Sequence, residues 1–225
     1  MSTPGKAQQA RVVDDLVAGK FKFTSQRGRE RRVKLLDAAK ALLETHAPDE
    51  VSFADVCARA RIPRPSAYHF FPDIHAVFLG LRLVHAEAMV EALESVDRAR
   101  GDTWSRYFGR LVDSGVKVMR ADRATTRLIY GGLSGWLEAK ELSKALDARL
   151  AHLALEALDR RFELPSWPDR AEVMAVAFTL VDSVLRLSFR THQELTEWMV
   201  EEAKRAAVSY LRNYLPEVLA VKERP

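Results

Sequence analysis

The sequence predicts an all-α chain, and three observations predict it. Apolar residues recur at three- and four-residue spacing through most of the chain after residue 28. Proline, glycine and N-cap residues gather at a few points and cut that pattern into helix-length pieces. The stretch "RIPRPSAYHFFP", residues 61–72, sets two prolines ahead of an aromatic cluster and closes on a third, so one helix must be very short. Proline in a helix interior costs about 3 kcal/mol but is tolerated in the first turn, where its missing N–H would be unpaired anyway. A helix therefore starts near Arg64 and ends about two turns later at Pro72.

The elements follow in order. Residues 1–27 carry little pattern, although "ARVVDDLVAG" fits a short helix ending at Gly19. From Arg29 to about His46, the positions Val33, Leu35, Leu36, Ala39, Leu42 and Leu43 make an apolar stripe, and Pro48 ends the element. Ser52 is an N-cap, with Asp55 in place of the usual Glu or Gln of a capping box. The helix it opens, "FADVCARA", closes near Ala60. The proline-flanked helix comes next, then a long helix from about Ile74 to Val96. Further boundaries fall at residues 99–103, with Asp102 as an N-cap, and at 120–123, 131–135 and 164–168. The remaining helices span about Trp136–Phe162, Asp169–Thr191 and Thr196–Tyr214.

With 225 residues, 48% of them hydrophobic and 29% charged, the chain can bury a sizeable core. Its beginning, "MSTPGKAQQARVVDDL", is polar and mixed, unlike the apolar centre of a signal peptide. The apolar stretch "VMAVAFTLVDSVLRLSF" carries Asp182 and Arg186, which suits a buried helix better than a membrane span. A single cysteine, Cys57, excludes an internal disulfide framework and suits a reducing cytoplasm. Net charge is +4, and residues 1–75 hold all of it, with 13 Lys plus Arg against 9 Asp plus Glu. The excess concentrates in "KFKFTSQRGRERRVK", Lys20 to Lys34, and points to a polyanion partner at one end of the molecule, against the plain reading of a solvated basic tail. Two short helices joined by a tight turn form a helix-turn-helix, and that unit within a basic three-helix domain points to double-stranded DNA.

Residues Arg29 to Leu79 resemble the DNA-binding domain of the TetR (tetracycline-repressor-like) transcriptional regulators. The residues that carry the resemblance are a first helix entering on basic residues with the small pair Ala38–Ala39, then "FADVCARARI", then "PRPSAYHFF" with its Tyr-centred segment, and a fourth helix at "DIHAVFLGL". Three positions depart from the family pattern. Arg61 stands where the family favours glycine, and at φ > 0 a side chain there costs about 1 kcal/mol. Ala67 replaces a bulkier apolar residue. Ile74 stands where a lysine often contacts phosphate.

The resemblance implies an organisation: a mobile basic arm (1–28), a helix-turn-helix DNA-binding domain (29–75), and a larger helical ligand-binding and dimerisation domain (76–225). Groove geometry gives the short helix its purpose, because only the first turns of a helix in the major groove meet base edges. Arg64 is the candidate base reader, since a guanidinium grips guanine O6 and N7 bidentately. Pro65 fixes the entry, and Ser66 can bond a base or a phosphate. The polar tips of Tyr68 and His69 suit phosphate oxygens, a role the family gives its matching tyrosine. Ser52, Arg29 and Arg31 complete the DNA-binding set, and the arginines of the basic run are placed to touch phosphates or a minor groove. Phe70 and Phe71 read as core, Phe71 closing on Val56, Ile62 and Leu36, and Cys57 reads as packed and unreactive.

For the larger domain the resemblance implies an effector and a homodimer formed through the last two long helices. Trp104, Tyr107, Phe108, Tyr130, Trp136 and Phe178 are candidates for an apolar pocket, with His152 or Asp182 as polar anchors. Each of them also fits plain core, and Asp182–Arg186 fits an ion pair within one helix. Metal-ligand spacing, phosphate loops and nucleophile motifs do not occur, so neither an enzyme, a cofactor nor a metal is expected. The expected function is a cytoplasmic, sequence-specific DNA-binding regulator. It is read as a repressor released from a palindromic operator by a small apolar or amphipathic effector. The alternative is a helical protein-interaction module that has lost sequence-specific DNA reading.

Overall fold

The computed structural model describes residues 26–97, 103–131 and 137–222. The helix expected over "ARVVDDLVAG", the arm up to residue 25, Asp102 and Trp136 lie outside the described residues. Nine α-helices occur among those described: α1 (Gln26–Leu43), α2 (Phe53–Ala60), α3 (Arg64–Ala67), α4 (Ile74–Glu94), α5 (Trp104–Ala121), α6 (Arg123–Tyr130), α7 (Leu137–Asp159), α8 (Arg170–His192) and α9 (Glu197–Leu211). A 3₁₀ turn at Pro48–Glu50 leads into α2. The strand-like pairing among these residues is a single antiparallel bridge, Phe162 to Val221.

The helices assort into two compact units, and neither is continuous in sequence. One takes residues up to Ala86 together with Asp122–Ala145; the other takes Glu87–Ala121 with Leu146 onward. In the first unit, α1 turns Leu35, Ala38, Ala39 and Leu43 inward, with Leu36 and Leu42 packed at the edge. Val33 leaves the expected stripe and is 53% exposed, because two residues along a helix rotate by about 200° and carry it away from Leu35. Val56, Ile62, Phe71 and Phe78 complete this core, together with Ala124 and Leu128 from the distant α6. Gly80 lets α4 approach closely: a Cβ there would lie 3.0 Å from Leu36 Cδ2 and 3.2 Å from Phe71 Cε1.

The second unit is built on α5, α8 and α9, with α9 lying along α8 and against α5. Trp104, Tyr107, Phe108, Leu111 and Val112 of α5 are buried at helical spacing, as the sequence predicts. Thr103 caps the start of α5, its Oγ1 accepting from the Arg106 amide at 3.3 Å. The α8–α9 turn is held by Ser188, which donates to Glu194 O at 2.8 Å and accepts from the Thr196 amide at 3.1 Å. Gln193 ends α8 in the left-handed region, φ 58°. The chain end returns to the unit: Trp104 Nε1 donates to Pro216 O at 2.7 Å, and Glu163 and Lys222 amides pair with Ala220 and Arg161 carbonyls beside the bridge.

Candidate nucleic-acid interface

The helix-turn-helix is assembled from local hydrogen bonds. Ser52 and Asp55 form the reciprocal cap of α2: the Asp55 amide donates to Ser52 Oγ at 3.2 Å, and the Ser52 amide donates to Asp55 Oδ2 at 3.0 Å. The Ser52 hydroxyl, donating to Asp55 Oδ2 at 2.5 Å, and after it the Ser52 amide hold the Asp55 carboxyl below its usual range. Ser52 is exposed, but both its polar groups serve the cap.

The turn after α2 is a Schellman arrangement. Ile62 N–H reaches back to Cys57 O at 3.1 Å, and Arg61 N–H to Ala58 O at 3.1 Å. That pattern requires a left-handed residue between them, and Arg61 occupies it at φ 54°, ψ 41°. The positive φ considered in the sequence is therefore present, on a residue with a long charged side chain. Ile62 and Cys57 fall into the core on either side of the turn. Burial raises the Cys57 thiol pKa, which outweighs the opposing pull of the Arg64 charge, so the thiol is an unreactive packing group.

The recognition segment follows directly. Pro63 sits extended at φ −56°, ψ 137° and accepts the amides of Ser66 and Ala67. Turns then continue past α3 through Tyr68→Arg64 and Phe71→Ala67 bonds, so about two turns are wound before Pro72. The sides separate cleanly. Ala67 and Phe71 are fully buried and Phe70 half-buried, whereas Arg64, Pro65, Tyr68 and His69 are exposed. Tyr68 is 55% exposed while its ring rests on Phe53, centroids 5.1 Å apart, which steadies the ring and leaves it open to solvent. Ser66 is half-buried and accepts from Arg31 Nη1 at 3.2 Å, so α1 holds the recognition segment through a side-chain bond. Arg29 belongs to α1, and its side chain lies outside the described residues.

Sequence reasoning missed how this unit is closed from below. α6 packs on the end of α1. Arg127 Nη1 donates to Leu43 O at 3.2 Å and Glu44 O at 3.3 Å, satisfying carbonyls that a helix end leaves unpaired. Asp122 caps α6 by accepting from the Thr125 amide at 3.2 Å, and its Oδ1 lies 3.1 Å from Lys40 Nζ of α1. The buried His85 stands 3.9 Å from its other oxygen. Burial acts to raise the Asp122 pKa, but His85, Thr125 and Lys40 together outweigh it and hold the carboxyl well below the usual range. No periodicity in the sequence couples residue 122 to residue 40; the one available signal is Asp122 as an N-cap.

The effector candidates divide. Tyr130 is buried in the first unit, whereas Trp104, Tyr107, Phe108, His152, Phe178 and Asp182 belong to the second. Phe108 and Phe178 meet edge to face, centroids 5.9 Å apart. Trp104 and Tyr107 commit their polar atoms to backbone: Trp104 to Pro216 O, and Tyr107 OH to Val96 O at 3.1 Å. Arg161 and Arg110 stand over the Tyr107 ring at 4.7 and 5.7 Å. His152 pairs with Glu156 at 3.3 Å, and Asp182 with Arg186 at 3.1 Å. Among the described residues no group of three metal-ligating side chains gathers, and no helix is long and apolar enough to cross a membrane.

Two family models match the chain. Residues 35–81 match "Bacterial regulatory proteins, tetR family", and residues 103–211 match "Tetracyclin repressor-like, C-terminal domain". Solved structures share the fold at low identity. A TetR-family regulator from Streptomyces coelicolor aligns at TM-score 0.61 with 24% identity, over 82% of this chain and 99% of that one. The flavonoid-responsive regulator FrrA aligns at 0.56 with 22% identity, over 84% and 99%. GusR of Salmonella enterica aligns at 0.59 with 16% identity, over 81% and 96%. None of the curated proteins matches the chain.

Proposed function

Because this chain belongs to the TetR family of transcriptional regulators, we propose that it is a homodimeric repressor that reads a palindromic operator and leaves it when a small apolar or amphipathic effector binds. The observation that carries the reading is the recognition segment itself: Arg64, Pro65, Tyr68 and His69 exposed on one side, with Ala67 and Phe71 fully buried on the other. Arg64 reads a base edge, while Tyr68, His69 and the arginines of α1 bind phosphate. Residues 29–75 do the reading; residues 76–225 bind effector and partner. Two half-sites one helical turn apart demand two readers. The dimer uses α8 and α9, whose exposed apolar residues Val176, Leu187 and Trp198 support that assignment.

The effector binds beside Phe108 and Phe178 and favours a spacing of the two readers that no longer fits successive major grooves. It can do so only to the extent that it binds that spacing more tightly. The protein acts in the cytoplasm without metal, cofactor or catalysis.

Fluorescence anisotropy on a duplex from the DNA flanking its own gene, with a random duplex as control and salt varied, tests the reading. Selective binding is expected, with Arg64→Ala eroding selectivity by about 1–3 kcal/mol. Absence of binding to either duplex at low salt would overturn it in favour of a protein-interaction module.

A further inference from the structure

The strained residue of the turn carries a charge, and that combination calls for a cause. Arg61 is held at φ 54°, ψ 41° by the Schellman bonds, a conformation that glycine or asparagine adopts with less strain. Its side chain is not needed for the core, because it is exposed and the buried contacts of the turn come from Cys57 and Ile62. It has company: the stretch from Val56 to Pro72 holds Arg59, Arg61 and Arg64 and no acidic residue, and all three arginines are exposed. Arg61 stands two residues before Pro63, which opens the recognition segment. Asp169 and Gln193 are left-handed too, so the strain alone assigns no role; what sets Arg61 apart is its charge beside the segment that Pro63 opens.

Resting on the DNA-reading function proposed above, we propose that Arg61 is a DNA-backbone contact built into the turn, its guanidinium binding a phosphate beside the groove that Arg64 enters. The contact is sequence-independent. It adds affinity and fixes the docking register of the recognition segment, and it does not choose bases. The strained turn is thereby kept for binding, at some cost to the stability of the unit.

The test separates binding from folding, because the two respond differently. Full-length wild type, Arg61→Gly, Arg61→Asn and Arg61→Lys are titrated onto the duplex flanking the gene and onto a random duplex across a salt series, and each is melted without DNA. Gly and Asn are expected to keep or raise the Tm, since both accept the left-handed conformation. They should also weaken binding to both duplexes alike and reduce the slope of log K against log salt by about 0.9 per reading head, roughly eightfold in affinity per head at 0.1 M salt. Lys should retain most of the slope. If Gly and Asn bind as tightly as wild type with an unchanged slope, Arg61 is a solvated surface charge and the inference is wrong. Weaker binding confined to the flanking duplex would also overturn it, since that is the behaviour of a base reader. If wild type binds neither duplex, the DNA-reading function fails first and takes this inference with it.

Discussion

Asp122→Asn isolates the bond between α6 and α1. Asn caps a helix about as well as Asp, so the Thr125 amide keeps its acceptor and only the charge is lost. The charge faces Lys40 Nζ at 3.1 Å, with the Lys40 side chain 39% and the Asp122 side chain 19% exposed. At an effective dielectric of ~20 the gross attraction at that distance is ~5 kcal/mol, but solvent reaching Lys40 and the desolvation of Asp122 cancel most of it. A net loss of about 1–2 kcal/mol at pH 7 remains, which lowers Tm by about 2–8 °C for a chain of this size. The acid dependence has a definite sign. The folded carboxyl titrates below its unfolded value of about 3.9, so its stabilisation is present above about pH 4 and is lost as pH falls through the lower, folded value. Scanning fluorimetry from pH 7 to pH 3.5 should show a gap between wild type and variant that holds to about pH 5 and narrows below pH 4. Lys40→Met should cost about as much, and the double variant little more than either. A variant that melts with wild type at pH 7, or a gap that persists undiminished at pH 3.5, would refute the reasoning.

Two further outcomes follow from the same geometry. Phe71→Ala empties a fully buried site under the recognition segment and should cost about 3–5 kcal/mol in urea unfolding, weakening DNA binding with it; a loss under about 1 kcal/mol would mean the segment collapses onto α4 without it. Gln193→Gly relieves a left-handed residue at the end of α8 and should raise Tm by about 2–4 °C with DNA binding unchanged, whereas a lower Tm would assign the Gln193 side chain a stabilising contact.

What was legible in the sequence was local. Ser52 with Asp55, the prolines around Arg64 and the apolar spacing of α5 each act within one or two helical turns, and each appears as expected. The split of the aromatics was legible in part, because Phe71 falls one turn from Ala67 and His69 on the opposite side, whereas Tyr68 lies at the border between them and rests its ring on Phe53. The illegible parts involve partners far apart in the chain. Nothing in the neighbourhood of Asp122 or Arg127 announces Lys40 or the Leu43 carbonyl, and Arg31 gives no sign that its guanidinium will meet Ser66. Trp104 and Tyr107, pocket candidates that also fit plain core in the sequence, are buried with their polar atoms on the Pro216 and Val96 carbonyls, partners no local pattern announces.

The placing of α6 has a consequence for how the protein is made. Ala124 and Leu128 belong to the core under the recognition segment, yet a ribosome adds them well after α4 is complete. At ~5–20 residues per second, several seconds pass in which the reader's core lacks two of its residues and the carbonyls at the end of α1 lack Arg127. The nascent reader is thus unfinished, with apolar surface uncovered, until α6 emerges. A prematurely released N-terminal fragment that stops before α6 would therefore fold with this core incomplete and with the α1 carbonyls lacking Arg127.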